Sequence, residues 1–193
     1  MEEFYARRDG AAEIMQIDHD SFECLIKSHH LIPRSVLPWT PIEAEAVPEP
    51  FRTLLVHRTD MTSTLENFHK EKLRVEVLGC HTIGQEYFRE VVLRLEKSGR
   101  RVEFGAIKIL LDLFPADARQ EILCERQPLG RILTESGVEF SSQPRGYVRI
   151  ASDNFISRAL DLIAPQFLYG RRNTLIDPWS RPLAEILEIL PPA

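Results

Sequence analysis

The 193-residue sequence contains no apolar run that approaches the roughly 20 residues needed to span a bilayer. Its first residues, 1–8, lack the apolar stretch of a signal peptide. Only three cysteines occur, Cys24, Cys80 and Cys124, and their spacing is not that of a zinc site. These absences predict a cytoplasmic protein with reduced thiols and no association with a membrane.

Common catalytic, phosphate-binding and metal-binding motifs are missing as well. The sequence has no Gly-rich phosphate loop and no Ser-His-Asp arrangement. His29 and His30 are adjacent, which is poor geometry for two ligands of one metal. We therefore predict neither a metal nor a cofactor. The net charge of −5 leaves no basic surface for nucleic acid, and nothing in the sequence indicates the oligomeric state.

What the sequence does contain divides it into two parts. Prolines recur between positions 33 and 50, so residues 1–50 are predicted to be a partly irregular N-terminal extension, with a short helix over 18–27. Residues 51–193 are predicted to be the packed domain. Its patterns predict strands over 73–78, 86–95, 101–114, 138–142, 146–151 and 181–190, and helices starting near 60, 115 and 128. Residues 155–163 fit either type, and the total predicts an α+β fold with an antiparallel sheet.

Arg89 is the most informative residue. Successive strand residues face opposite sides of a sheet, so Arg89 shares a face with Tyr87, Val91 and Leu93, while the other face is mostly polar. The guanidinium is therefore predicted to point toward the buried side, where an unpaired charge is costly. Its partner is either a carboxylate of the protein or a carboxylate of a ligand.

Five short motifs occur in a fixed order. They are Asp60–Thr64, Tyr87–Glu90, Pro128–Leu133, Gly170–Arg172 and Arg181–Pro191. Their order and spacing resemble the chorismate pyruvate-lyase family, which includes the bacterial enzyme that makes 4-hydroxybenzoate for ubiquinone biosynthesis. The resemblance covers about residues 50–192, and the first 50 residues have no counterpart.

The resemblance implies an antiparallel sheet of about six strands with helices packed on one side and an enclosed ligand cavity. It implies a carbon-oxygen lyase that eliminates pyruvate from chorismate to give a hydroxybenzoate, with 4-hydroxybenzoate as the expected isomer. By motif, Arg89 is expected to bind the ring carboxylate. Met61 and Leu129 are expected to line the ring pocket, and Arg171 and Arg172 are candidates for the second carboxylate.

A C-terminal glutamate is expected to act on the oxygen at the opposite end of the ring. Counting back from Pro192 selects Glu188, which we favour as the catalytic acid together with Arg89, whereas counting forward from Pro182 lands on Leu187. Glu188 and Glu185 occupy opposite faces of the predicted strand, and both remain candidates. Glu103 shares a strand face with residues 105, 107 and 109, and no role is predicted for it.

Two other functions remain open. The same fold without catalysis would give a binding or sensing protein for a phenolic acid or another small carboxylate. Sensing domains of this fold usually follow a winged-helix DNA-binding domain, for which residues 1–50 are too proline-rich and too acidic. An enzyme of the fold with a different substrate is the third possibility.

Overall fold

The computed structural model describes residues 39–192. The strands are β1 (Trp39–Ile42), β2 (Leu73–Ile83), β3 (Glu86–Leu95), β4 (Arg101–Leu110), β5 (Ser141–Ala151), β6 (Phe167–Ile176) and β7 (Pro182–Leu190). The α-helices are α1 (Phe51–Leu55), α2 (Met61–His69), α3 (Ala116–Cys124), α4 (Leu129–Glu135) and α5 (Asn154–Ala159). The helix predicted over 18–27 lies outside the described residues. No helix within them is long and apolar enough to cross a membrane.

All seven strands form one antiparallel sheet in the order β1-β5-β6-β7-β4-β3-β2. The predicted α+β class with an antiparallel sheet is therefore confirmed, with one strand more than the predicted six. Two strands were not predicted: β6 and the short β1, which pairs with β5 at the edge and lies before position 50. The strand that carries Arg89 is not at the centre of the sheet, because only β2 lies beyond it.

Three local predictions differ from the structure. The segment predicted as two strands around Gln143-Pro144-Arg145 is one strand, because a bulge at Arg145 absorbs the irregularity. Strand β6 was not predicted, since its Gly170-Arg171-Arg172-Asn173 run looks like exposed polar sequence. The ambiguous segment 155–163 forms the short helix α5, which Asp153 caps by accepting a hydrogen bond from the Ile156 amide.

Both faces of the sheet are covered. On one face, Val91 and Ile107 pack in the apolar cluster that includes Ile122 of α3 and Ile132 of α4. On the other face, Val92 packs in the cluster that includes residues of α5. The prediction of a polar second face on β3 was therefore wrong, and α5 departs from the predicted arrangement with every helix on one side. Helices α2 and α4 lie on the Arg89 face, where they bound the candidate site.

Candidate ligand-binding site

A cavity of about 40 Å³ lies between the sheet and the first turns of α2 and α4. Its lining combines an apolar wall with a few polar side chains. The lining residues are Asp60, Met61, Thr62, Val75, Arg89, Val91, Leu93, Glu103, Ile107, Pro128, Leu129, Gly130, Asn173, Leu175, Ile186 and Glu188. Four of the predicted site residues, Met61, Arg89, Leu129 and Glu188, are therefore brought together at one place.

Arg89 is the defining group of this cavity. Its side chain is 1% exposed, and all three of its guanidinium nitrogens lack a hydrogen-bond partner among residues 39–192. Burial lowers the pKa of the guanidinium, although an arginine stays protonated at any physiological pH. Glu125, which accepts a hydrogen bond from the Tyr87 hydroxyl, acts on Arg89 electrostatically without a hydrogen bond to it. The described part of the chain thus supplies no direct partner for this buried cation.

Glu188 and Arg171 form a buried ion pair. Arg171 Nε donates to Glu188 Oε2 at 2.5 Å, and both side chains are excluded from solvent. Arg171 Nη1 also donates to the carbonyls of Leu55, at 3.3 Å, and His57, at 3.1 Å, which ties β6 to the end of α1. Although burial opposes it, the neighbouring Glu188 raises the pKa of Arg171. The pair is therefore a neutral structural unit at the edge of the cavity.

Two predicted candidates lie elsewhere. Arg172 follows Arg171 in β6, so it faces the opposite side of the sheet and does not line the cavity. Glu185 forms an ion pair with Lys108 at 2.5 Å at a partly exposed position. The structure therefore places Glu188, and not Glu185, in the cavity wall.

Sequence reasoning missed Glu103 as a member of the site. This side chain is 4% exposed, lines the cavity, and leaves Oε2 without a hydrogen-bond partner among the described residues. Burial raises the pKa of its carboxyl well above the ordinary value; Glu188 adds to the rise and Arg171 opposes it. The alternation of β4 had placed Glu103 on the face of Ile107, and that signal was available in the sequence.

Asn173 is the other polar residue that was missed. Its Oδ1 accepts a hydrogen bond from the Ser142 hydroxyl at 3.0 Å, and its Nδ2 has no partner among the described residues. It is 3% exposed and lines the cavity from β6. Because β6 was not predicted as a strand, no sequence signal marked its orientation.

Helices α2 and α4 are joined to each other over the cavity. Asp60 caps α2 by accepting from the Ser63 amide at 2.8 Å, and Gly130 of α4 packs so closely that an added Cβ would lie 2.9 Å from Asp60 Oδ1. Arg131 of α4 is paired with Glu66 of α2 and donates to the Leu73 carbonyl at 3.0 Å. The ion pair between Arg131 and Glu66 thus links the two helices whose first turns line the cavity.

No family model matches the chain, and no curated protein matches it. Solved structures do. PhnF from Mycobacterium smegmatis matches with a TM-score of 0.55 at 12% identity, over 70% of this chain and 64% of PhnF, so the chain spans less than two thirds of that protein. At this identity the match shows a shared fold and nothing further.

Two further matches carry descriptive names. A GntR-family transcriptional regulator from Bacillus cereus matches with a TM-score of 0.46 at 12% identity, over 62% of this chain and 92% of that one. The ligand-binding domain of a protein assigned to the GntR family of transcriptional regulators, from Bordetella bronchiseptica, matches with a TM-score of 0.45 at 10% identity. That match covers 83% of this chain and 93% of the other.

The predicted activity does not stand. None of the similar structures named above is described as a lyase, and the group predicted to act as the acid, Glu188, is committed to a buried ion pair. The prediction of a carbon-oxygen lyase that forms pyruvate and 4-hydroxybenzoate from chorismate, in ubiquinone biosynthesis, is therefore wrong. The geometry gives a physical reason, since Glu188, the predicted acid, is held by Arg171.

Proposed function

We propose that this chain is a non-catalytic binding domain for a small carboxylate, of the size of a phenolic acid, and that it senses or carries this molecule. The observation that supports the proposal is Arg89, a fully buried cation that lines a cavity and has no hydrogen-bond partner among the described residues. A buried charge of this kind is costly unless an anion meets it. A ligand carboxylate can accept two parallel hydrogen bonds from the guanidinium fork.

The energetic logic favours binding over structure as the role of Arg89. Had the guanidinium served only packing, an apolar side chain of similar volume would fill the space without the desolvation cost. A hydrogen bond to a charged group contributes about 1.5–3 kcal/mol. A bidentate carboxylate would therefore offset the desolvation cost of the Arg89 guanidinium when the ligand is bound. Without the ligand, this cost is not offset. The protein is less stable without its ligand, as expected of a binding site.

The size of the cavity links binding to a change of shape. A volume of about 40 Å³ holds a few water molecules, whereas pockets for small organic ligands occupy roughly 300–1,000 Å³. An aromatic acid would therefore enter only when α2 and α4 move away from the sheet. This displacement would give a sensor its readout, because the ligand would bind the opened form better than the one described here.

The test is calorimetric titration of the full chain with benzoate and 4-hydroxybenzoate. We expect at least one of them to bind, and Arg89→Met to reduce the affinity on the order of 10- to 100-fold, because about 1.5–3 kcal/mol is lost. Arg74→Met is the matched control, since Arg74 is exposed on the neighbouring strand β2 and should bind as the wild type does. Unchanged affinity in Arg89→Met, or no binding of either acid, would refute the proposal.

A further inference from the structure

The cavity contains more unpartnered polar groups than a carboxylate at Arg89 would use. Glu103 Oε2 and Asn173 Nδ2 are buried, line the cavity and lack hydrogen-bond partners among residues 39–192. Each such group costs stability unless a ligand or water meets it. A ligand that satisfies these groups would need polar features beyond its carboxylate, and the chemistry of these groups indicates which.

The surroundings of Glu103 determine whether its carboxyl is protonated. In β4 its carboxyl folds over Gly105, where Oε1 would lie 3.6 Å from a Cβ added to that glycine. Gly105 is paired directly with Glu188 of β7, whose carboxylate is already bound to Arg171. The carboxyl groups of Glu103 and Glu188 thus share one buried region, and the arginine that acts on Glu103 there is Arg171. Like charges in such a place cannot both ionise freely, so one of them retains a proton.

Of the two carboxyls, Glu103 is the one whose surroundings favour the protonated form. Glu188 has a charged partner in Arg171, whereas Glu103 has no ion pair among the described residues. The charged groups that act on Glu103 are Glu188 from β7, Asp60 from the start of α2 and Arg171 from β6, and burial with the two acids raises the pKa of Glu103 more than Arg171 lowers it. Arg89 lines the same cavity from β3, four residues away from the level of Glu103 along the paired strands.

With Glu103 protonated, the unpartnered groups of the cavity share one property. The Arg89 guanidinium, the Asn173 amide and the Glu103 hydroxyl are all hydrogen-bond donors. The ligand must then supply acceptors at each. A second anionic group is unfavourable at the Glu103 end, because the two carboxylates Asp60 and Glu188 outnumber Arg171 there.

We propose that Glu103 is a ligand-contacting, specificity-determining residue, and that the cavity selects a monocarboxylate that carries an uncharged oxygen, a hydroxyl or carbonyl, placed to accept a hydrogen bond from the Glu103 carboxyl. The inference rests on the proposed function, since it presupposes that a carboxylate occupies the Arg89 end. It adds the chemistry of the second end. It excludes apolar monocarboxylates and dicarboxylates as preferred ligands.

Three probes share a benzoate core and differ only in the para substituent. Benzoate is the apolar monocarboxylate, 4-hydroxybenzoate carries an uncharged oxygen, and terephthalate is the dicarboxylate. Each is titrated into the full-length wild-type chain and into Glu103→Gln, Glu103→Leu and the control Glu139→Gln, which alters an exposed glutamate. The wild type should bind 4-hydroxybenzoate about 10-fold tighter than benzoate, the value of one hydrogen bond. Terephthalate should bind less tightly than 4-hydroxybenzoate. Glu103→Gln, which still donates, should keep the hydroxyl advantage, and Glu103→Leu should lose it.

The outcomes distinguish the two proposals. If benzoate binds through Arg89 but the hydroxyl adds no affinity, or adds as much in Glu103→Leu as in the wild type, the role of Glu103 is refuted and the carboxylate site stands. If terephthalate binds as tightly as 4-hydroxybenzoate, the preference for a monoanion is refuted. If no probe binds the wild type, both proposals fail.

A pH series keeps the test decisive if Glu103→Leu does not fold. Loss of the Glu103 proton adds a negative charge to a cavity that is proposed to bind an anion, so wild-type affinity for 4-hydroxybenzoate should fall as the pH rises through the raised folded-state pKa of Glu103. Glu103→Gln cannot titrate and should show a smaller fall. Parallel pH profiles for the two proteins would overturn the assignment of a proton to Glu103.

Discussion

Arg171 and Glu188 lie directly opposite each other on β6 and β7 and form an ion pair of 2.5 Å with both side chains out of contact with solvent. The pair crosses the middle of the sheet and closes one side of the cavity. Each charge is neutralised by the other, and only Nη2 of Arg171 lacks a hydrogen-bond partner among the described residues, whereas all three guanidinium nitrogens of Arg89 lack one. Arg89 on β3 has no such partner among the described residues, and this difference is the reason that we propose Arg89, and not Arg171, as the arginine that binds the ligand.

Removing one half of that pair should be costly. Glu188→Gln leaves the Arg171 guanidinium buried without its anion, and we expect the free energy of unfolding to fall by about 3–5 kcal/mol. Urea denaturation measures it. Glu185→Gln is the control, because it breaks a partly exposed pair with Lys108 and should cost less than about 1 kcal/mol. Equal losses in the two variants would contradict the structural role of Glu188.

Arg89→Met should have the opposite effect on the free protein. It replaces a buried cation that lacks hydrogen bonds by an apolar side chain of similar length, so we expect the unfolding free energy to rise by about 1–3 kcal/mol. The melting temperature should increase by roughly 2–4 °C per kcal/mol for a chain of this size. Differential scanning fluorimetry without ligand tests this. A clear loss of stability would show that Arg89 is a structural residue.

The ion pair between α2 and α4 should set the rate of ligand entry. Arg131→Met removes the fastening to Glu66, so the two helices should separate more often and the association rate for 4-hydroxybenzoate should rise several-fold. Lys72→Met removes a different, exposed partner of Glu66 and leaves the link between the helices intact. Stopped-flow fluorescence compares the two. Equal association rates would mean that this ion pair does not limit entry.

The free energy of unfolding should depend on pH through the Glu103 carboxyl. Its pKa is raised in the folded state, so the folded protein holds this proton over a pH range in which the unfolded chain, with an ordinary carboxyl, has lost it. This contribution is fully present below about pH 4.5 and is lost as the pH rises through the folded-state pKa. Glu103→Gln should therefore gain stability relative to wild type as the pH increases. Denaturation midpoints across the pH range give the difference, and Glu139→Gln should show none.

Local alternation predicted much of this molecule. The strands around Arg89 and Glu188 and the helix capped by Asp60 follow from periodicity and capping rules that act over a few residues, and the α+β class follows from their order. The same alternation pointed Arg89 to the correct face of β3. What it could not supply was the neighbour of each strand, because pairing joins residues that are far apart in sequence.

That limit explains the errors at the site. Arg171 and Asn173 belong to a run that reads as exposed polar sequence, and only pairing of β6 between β5 and β7 buries them. The partner of Glu188 could not be predicted without that pairing. The alternation of β4 placed Glu103 on the face of Ile107, but only the pairing of β4 with β7 brings Glu188 beside it across Gly105. The activity failed for another reason, since motifs shared with an enzyme family do not establish its chemistry.

The position of β7 has a consequence for synthesis of the chain. It follows all the other described strands in sequence, yet it lies between β6 and β4 and joins β1-β5-β6 to the β4-β3-β2 meander. A nascent chain that has not yet exposed residues 182–190 can therefore form at most two half-sheets, each with an unpaired edge where β7 pairs in the complete sheet. The cavity cannot exist at that stage, because Arg89 and Asn173 stand on different halves. The sheet of this domain can therefore be completed only after β7 has been translated, and until then its unpaired strand edges are exposed to pairing with other chains.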